Sequence, residues 1–336
     1  MAPPAVLCAH GCGSHDVTAH GQATASSLLR SPAAGAGVAP AAADLRVWAG
    51  LATIYLVWGS TYLAIRVMVE TVPALLGSGV RFVLAGAAML AVLAVRGGLR
   101  ALRPTRRQLA GAALIGALLP GANAVVTVAE VDVPSGLAAL LIGSVPLVVI
   151  LLRRATGDRV ARASMAGVVL GFGGVALLLL PGERPDGATL AGMLALLGAA
   201  VMWASGSFLI PRLELPRGTL ASIGWQLLLG GLMIVAAGLV AGEGGKVHPG
   251  AFSGDSLLAF AFLVLIGSVL AYSVYAWLLR NVPVSKVATY AYVNPMVAIL
   301  LGWLILGETV TGAMLAGAAV IVAAVAVVVR AESRVR

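Results

Sequence analysis

The chain has 336 residues, of which 60% are hydrophobic and only 10% charged, and its mean hydropathy is +1.01. Those values exclude an ordinary soluble globular domain, and two cysteines exclude a disulfide-rich scaffold. The formal charge of +9 would suit a nucleic-acid binder, but where the basic residues sit along the chain excludes nucleic acid as a partner.

Residues 1–44 are rich in Ala, Gly, Ser and Pro and lack an apolar run of helix length, so they read as a disordered extension. They hold Cys8, His10, Cys12, His15, Asp16 and His20 without the spacing of a tetrahedral zinc site. Neither metal nor cofactor is expected. Beyond them, apolar runs of about 20 residues, enough to cross a hydrocarbon core, fall at 48–68, 75–95, 108–129, 133–152, 163–180, 189–209, 218–241, 256–279, 286–306 and 312–329. In lipid such segments must be helices, because only a helix satisfies its backbone within one segment. The fold class expected is an all-α integral membrane protein with ten transmembrane helices.

Of the 22 Lys and Arg residues, eighteen fall on the side shared by the two chain ends, and only Arg184 and Lys246 on the other. That asymmetry predicts cytoplasmic termini. Arg66 and Arg81 fall within spans. For both, snorkelling to the interface is one expectation. For Arg81 the other is a gate, in which it pairs with Glu130 when the outer side is closed. Glu130 is the acid inside a span, and so the carrier if export is proton-coupled.

The chain repeats itself. "VPSGLAALLIGSVP" matches "VPVSKVATYAYVNP", with Pro134 and Pro146 against Pro283 and Pro295. Gly157-Asp158 answers Gly307-Glu308, Gly167 answers Gly317, and Trp58, Arg81 and Gly86 stand at the same offset from Trp203, Gln226 and Gly231. Five helices per copy is odd, so the copies enter the membrane from opposite faces: two inverted five-helix repeats, an architecture recurrent among secondary transporters. The boundaries expected are 45–182 and 183–330, followed by a cytoplasmic tail at 331–336.

Polar residues within spans are costly unless they face protein or water. Helical spacing puts Trp58, Tyr62 and Arg66 on one stripe, then Asn123, Thr127 and Glu130, then Ser268, Tyr272 and Tyr275, then Lys286, Tyr290 and Asn294. Pro146 and Pro295, near the middles of the fourth and ninth spans, should kink them and free the carbonyls of Ile142 and Ala291, as polar hooks or hinges. Gly167 and Gly171, a GxxxG pair, read as helix packing. There is no HExxH, GxSxG or GxxxxGK motif, so neither an enzyme nor an ATP-driven pump is expected. "AGEGGK" at 241–246 has the wrong spacing for a phosphate loop.

"VWGSTYLAIRV", "VRFVLAGAAML", "VTVAEVDVPSGLAALL" and "YAYVNPMVAILLGWLILGET" resemble helices of the EamA-type drug/metabolite transporters, most of all the YedA-like exporters, over about residues 46–330. The resemblance implies two EamA repeats and efflux of small metabolites or drugs, amino acids in some branches, across a bacterial inner membrane. The first repeat departs from the pattern at Asp158, where the second has Glu308. The expected activity is secondary export of a small-molecule substrate by alternating access. The expected cavity lining is Trp58, Ser60, Tyr62, Asn123, Trp203, Gln226, Tyr272, Tyr290 and Asn294, with Arg81, Glu130, Pro146 and Pro295 in gating roles. A lining of aromatics and amides suits neutral or zwitterionic amphipaths. A non-transporting assembly partner or a lipid-facing enzyme is the alternative.

Overall fold

A computed structural model describes residues 40–98, 102–180, 188–282, 284–287 and 289–333. Cys8, Cys12 and their neighbouring histidines, Arg184, Pro283 and the tail from 334 lie outside these. Among the described residues every regular element is helical. The first repeat consists of α1 (Pro40–Met68), α2 (Ala74–Gly97), α3 (Arg106–Ala129), α4 (Ser135–Ile142), α5 (Val145–Ala155) and α6 (Arg162–Leu179), with α4 and α5 forming one crossing. The second opens with α7 (Leu190–Leu209) and α8 (Thr219–Val240). Its next crossing joins α9 (Gly254–Phe262), a π-helical stretch Leu263–Leu270 and α10 (Ala271–Asn281). It ends with the short α11 (Val284–Val287), α12 (Tyr290–Leu306) and α13 (Gly312–Ser333).

Among the described residues nine crossings are long and apolar enough to traverse a bilayer, and α12, with 17 residues, is the shorter tenth. The architecture is thus two five-crossing repeats, and the start of α1 and the end of α13 lie on one face, the basic face.

Glycines decide how the repeats join. A Cβ at Gly86 on α2 would stand 2.7 Å from the carbonyl of Gly224, and one at Gly231 on α8 would stand 2.6 Å from the Val83 amide. Backbone meets backbone there, which only glycine allows. Gly116 does the same for α3 against α8, 2.6 Å from the Gln226 carbonyl. At the other end of the bundle α6 packs on α13, where Gly167 faces the Ala324 carbonyl at 3.0 Å and Gly171 faces Leu147 and Ala324. The largest apolar core lies between these seams, with Leu137, Leu140, Leu147, Met193, Leu196 and Ile321 buried to 1% exposure or less.

Four details depart from the expectations. The helix α1 starts at Pro40, inside the stretch read as disordered, because extending an existing helix through "PAAADL" costs little once its nucleus is set. The fourth crossing is broken rather than kinked. The helix α4 stops at Ile142, Ser144 donates its hydroxyl to the Leu141 carbonyl (2.6 Å), and Pro146 sits in the first turn of α5, where its missing N–H is harmless. The ninth crossing breaks at Thr289, well before Pro295, which lies inside α12. The Thr289 hydroxyl bonds the Lys286 carbonyl (2.6 Å) and the Tyr55 hydroxyl, competing with helix continuation. Lys286 therefore leaves the Tyr290–Asn294 face, and its ammonium lies 4.6 Å from the Trp48 ring.

Candidate functional site

The two broken crossings line a cavity of about 680 Å³ between the repeats, and the π segment bonds to two of its wall residues, Trp58 and Arg81. Its deep end is walled by Ile65, Arg81 and Val126, and its lining continues to Arg153, Leu279, Val328 and Val329 at the ends of α5, α10 and α13. Those ends belong to the basic face, so the cavity reaches that face.

One wall is aromatic. The Trp58 ring packs against Tyr272 (centroids 5.4 Å apart), Tyr275 (5.2 Å) and Tyr290 (5.1 Å), mostly edge to face. Its indole N–H donates to the Gly267 carbonyl at 3.3 Å. That carbonyl lies in the π stretch, where the i→i+5 pattern reorients backbone and side chains relative to an α-helix, as is common at functional sites. Periodicity alone could not show this segment. Tyr62, Asn123 and Trp203 complete the polar and aromatic lining, with Asn294, whose amide nitrogen, in the orientation its neighbours dictate, donates to the carbonyls of Tyr290 (3.1 Å) and Tyr55 (3.3 Å). Ile142, Pro146, Ala291 and Pro295 also face the cavity.

Two expected lining residues point elsewhere. Ser60 donates to the Val57 carbonyl in its own helix (2.9 Å) and is not part of the wall. Gln226 is buried against α3 and donates to the Ser222 hydroxyl (2.8 Å). Tyr275, on the predicted seam with Tyr272, does line the cavity, as do Thr61 and Ser207.

The two intramembrane arginines both bond to protein oxygens. Arg66 turns inward and donates to the carbonyls of Glu130 and Val131, both at 2.5 Å, just past the end of α3, where helix carbonyls are left without donors. Arg81 is 3% exposed. Its Nε donates to the Ser268 hydroxyl (3.0 Å) and its Nη1 to the Asn123 amide oxygen (3.2 Å), two residues separated by the same spacing as Trp58 and Trp203. The expected pair between Arg81 and Glu130 is not formed. Neutral acceptors satisfy the guanidinium, and both carboxyl oxygens of Glu130 are buried without a hydrogen-bond partner among the described residues. Its charged neighbours are Glu308, Arg66 and Arg81.

The face opposite the basic one is held by a device that sequence reading missed. The helices α2 and α4 each follow a proline cap, Pro73 and Pro134, with no side chain to satisfy the first amides. Acids from the second repeat do so instead. Glu308 accepts from the Ser135 amide (2.8 Å), the Ser135 hydroxyl (3.0 Å) and the Gly136 amide (3.2 Å). Glu243 accepts from the amides of Leu75 (3.2 Å) and Leu76 (2.8 Å). Where α1 ends and α9 begins, the Ser253 amide donates to the Thr71 hydroxyl (3.1 Å) and the Ser256 hydroxyl to the Val67 carbonyl (2.8 Å). The cue was a Pro-Ser-Gly helix start in one repeat and a Gly-Glu turn in the other, which only the tertiary fold brings together.

A polytopic bundle of two inverted repeats around a cavity that reaches one face defines a membrane transporter. The chain belongs to the EamA-like transporter family, whose model matches residues 47–180 and 190–330. It is similar to the inner membrane transporter YedA of Escherichia coli strain K12, 39% identical over 269 residues covering 80% of this chain and 85% of that protein. It is also similar to a probable amino-acid metabolite efflux pump of Salmonella typhimurium, 25% identical over 77% of this chain and 86% of that one. A crystal structure of a protein 24% identical in sequence shares the fold, with a TM-score of 0.59 over 87% of this chain and 99% of that one.

Proposed function

We propose that the chain is a secondary exporter of small organic metabolites or drugs, working in the inner membrane by alternating access, with both termini in the cytoplasm. The observation that carries this reading is the asymmetry of the cavity: it reaches the basic face, while the opposite ends of α2 and α4 are closed by Glu243 and Glu308. The charge bias of the loops makes the basic face cytoplasmic, so this state is loaded from inside. The efflux pump among its relatives supports a cargo of amino-acid size and polarity, and the cavity volume accommodates one. Export is coupled to protons through Glu130, whose carboxyl is buried with no hydrogen-bond partner among the described residues, so that its charged form is costly there even with Arg66 and Arg81 as charged neighbours.

The test is uptake of labelled candidates into everted vesicles carrying the chain, with and without a proton gradient. Gradient-driven uptake that becomes independent of pH in Glu130→Gln supports the reading. Absence of uptake across a metabolite and drug panel overturns export, and an unchanged pH response in the variant overturns coupling through this acid. Reporter fusions at Arg103 and Arg336 should score cytoplasmic and one at Gly245 external.

A further inference from the structure

The buried guanidinium in the cavity wall has capacity that the fold does not use. Arg81 is the eighth residue of α2, about 10 Å along the helix from Ala74, where a cation is expensive and is retained for a partner or a function. Its two hydrogen bonds go to neutral oxygens, and among the described residues no carboxylate lies within ion-pair distance. A guanidinium carries five N–H donors in a rigid fork. Nε and one N–H of Nη1 are engaged, which fixes the plane of the group, and Nη2 makes no hydrogen bond among the described residues. Arg81 nevertheless lines the cavity, at the deep end and on the same wall region as Thr61, Tyr62 and Tyr272. No Asp or Glu contributes to that lining, so the charges of the wall itself, Arg81 and Arg153, are positive, and Glu130, the charged neighbour of Arg81, lies outside it.

We infer that Arg81 anchors the carboxylate of the transported molecule, and that the cargo is a small carboxylate-bearing amphipath whose apolar body lies against Trp58, Tyr272 and Tyr290. The inference rests on the reading of this cavity as the transport site and adds the chemical class of its occupant. Ser268 and Asn123 engage two of the donors and the guanidinium carbon lies 4.8 Å from the Phe82 ring, so the group is held in one orientation and its remaining donors can take a planar anion without further ordering, which a lysine could not reproduce. The aromatic wall supplies contact area for the rest of the molecule and no acid to attract a simple amine.

The test uses matched acids and amides: 3-phenylpropionate with 3-phenylpropionamide, 4-methylvalerate with its amide, and L-phenylalanine with its amide. Binding is read by thermal shift on the purified protein and transport by counterflow in proteoliposomes. Wild-type protein should bind at least one acid about tenfold or more tighter than its amide. Arg81→Gln should bring that ratio to about one, and Arg81→Lys should retain part of it. Amides that bind as well as their acids, or no binding by any acid, overturn the anchor. If Arg81→Gln fails to fold, the acid-to-amide ratio of the wild type alone decides. Amides transported as well as acids would sink the anchor and leave the exporter standing, whereas acids that bind selectively without counterflow would sink the exporter and leave the anchor.

Discussion

The two repeats are alike where they pack and unlike where they act. Gly86 and Gly231 occupy equivalent positions and do equivalent work, each letting one backbone approach another. Arg81 and Gln226 occupy equivalent positions too, yet one reaches the cavity and the other bonds to its own helix. The acids after the fourth and ninth crossings diverge further. Asp158 meets Arg153 at 3.4 Å and Arg212 at 3.6 Å on the basic face, partly in solvent, where such pairs contribute about 0–1 kcal/mol. Glu308 instead caps α4, a helix of the other repeat, with three hydrogen bonds. Symmetry preserves the packing scaffold, and its local loss leaves a weak, partly solvated ion pair on the basic face and a firm helix cap on the opposite one.

The comparison breaks most easily at the glycine seams. Gly86→Val and Gly231→Val should be equally destructive, since each new side chain must displace backbone, at a cost of about 3 kcal/mol or more. Little folded protein should survive solubilisation, as judged by size-exclusion chromatography. Gly198→Ala, with nothing within 4 Å of the new methyl group, should behave as wild type. Unequal losses at the two seam positions would mean that the α2–α8 contact is not built symmetrically.

A smaller and opposite kind of result is expected from the acids. Glu308→Ala leaves the first amides of α4 without partners, a loss of about 0.5–2 kcal/mol, and it acts only on the state in which this face is closed. The equilibrium should move toward the state open on that face, raising labelling of a cysteine introduced at Ile65 by an impermeant maleimide about tenfold. Asp158→Asn should change labelling less than about twofold. Similar effects from both substitutions would show that the two acids remain equivalent despite their different contacts.

How much of this was legible beforehand follows from what each signal depends on. Ten crossings, the inverted repeat and the basic face depend on hydropathy, spacing and charge, which are local or additive, and they are present in the folded chain. Cavity residues lying several positions inside their expected spans, such as Trp58, Asn123 and Tyr290, were readable because a polar or aromatic group there has few other uses. Gln226 satisfied the same rule but is consumed within its own helix, since a glutamine and a serine one turn apart bond to each other. The carboxylate caps were not readable, because Glu308 and Ser135 are brought together only when the repeats interlock. Nor was the π stretch, whose sequence LVLIGSVL has an ordinary helical appearance; it is what sets Ser268 against Arg81.

The smallest expected difference concerns the paired prolines. Pro146 lies in the first turn of α5, behind a break already made by Gly143 and Ser144, so Pro146→Ala should leave transport within about twofold of wild type. Pro295 lies inside α12, where it leaves the Ala291 carbonyl without its usual donor, and both residues face the cavity. Pro295→Ala restores that N–H. The helix gains stability, up to about 3 kcal/mol, while the cavity loses an acceptor that contributes about 1 kcal/mol to binding. Melting temperature and KM should therefore rise together, the latter about fivefold. A rise in melting temperature with unchanged KM would make Pro295 a packing kink alone. A larger transport defect from Pro146→Ala than from Pro295→Ala would place the working hinge in the first repeat, at the break between α4 and α5, because only a moving joint makes a first-turn proline costly to replace.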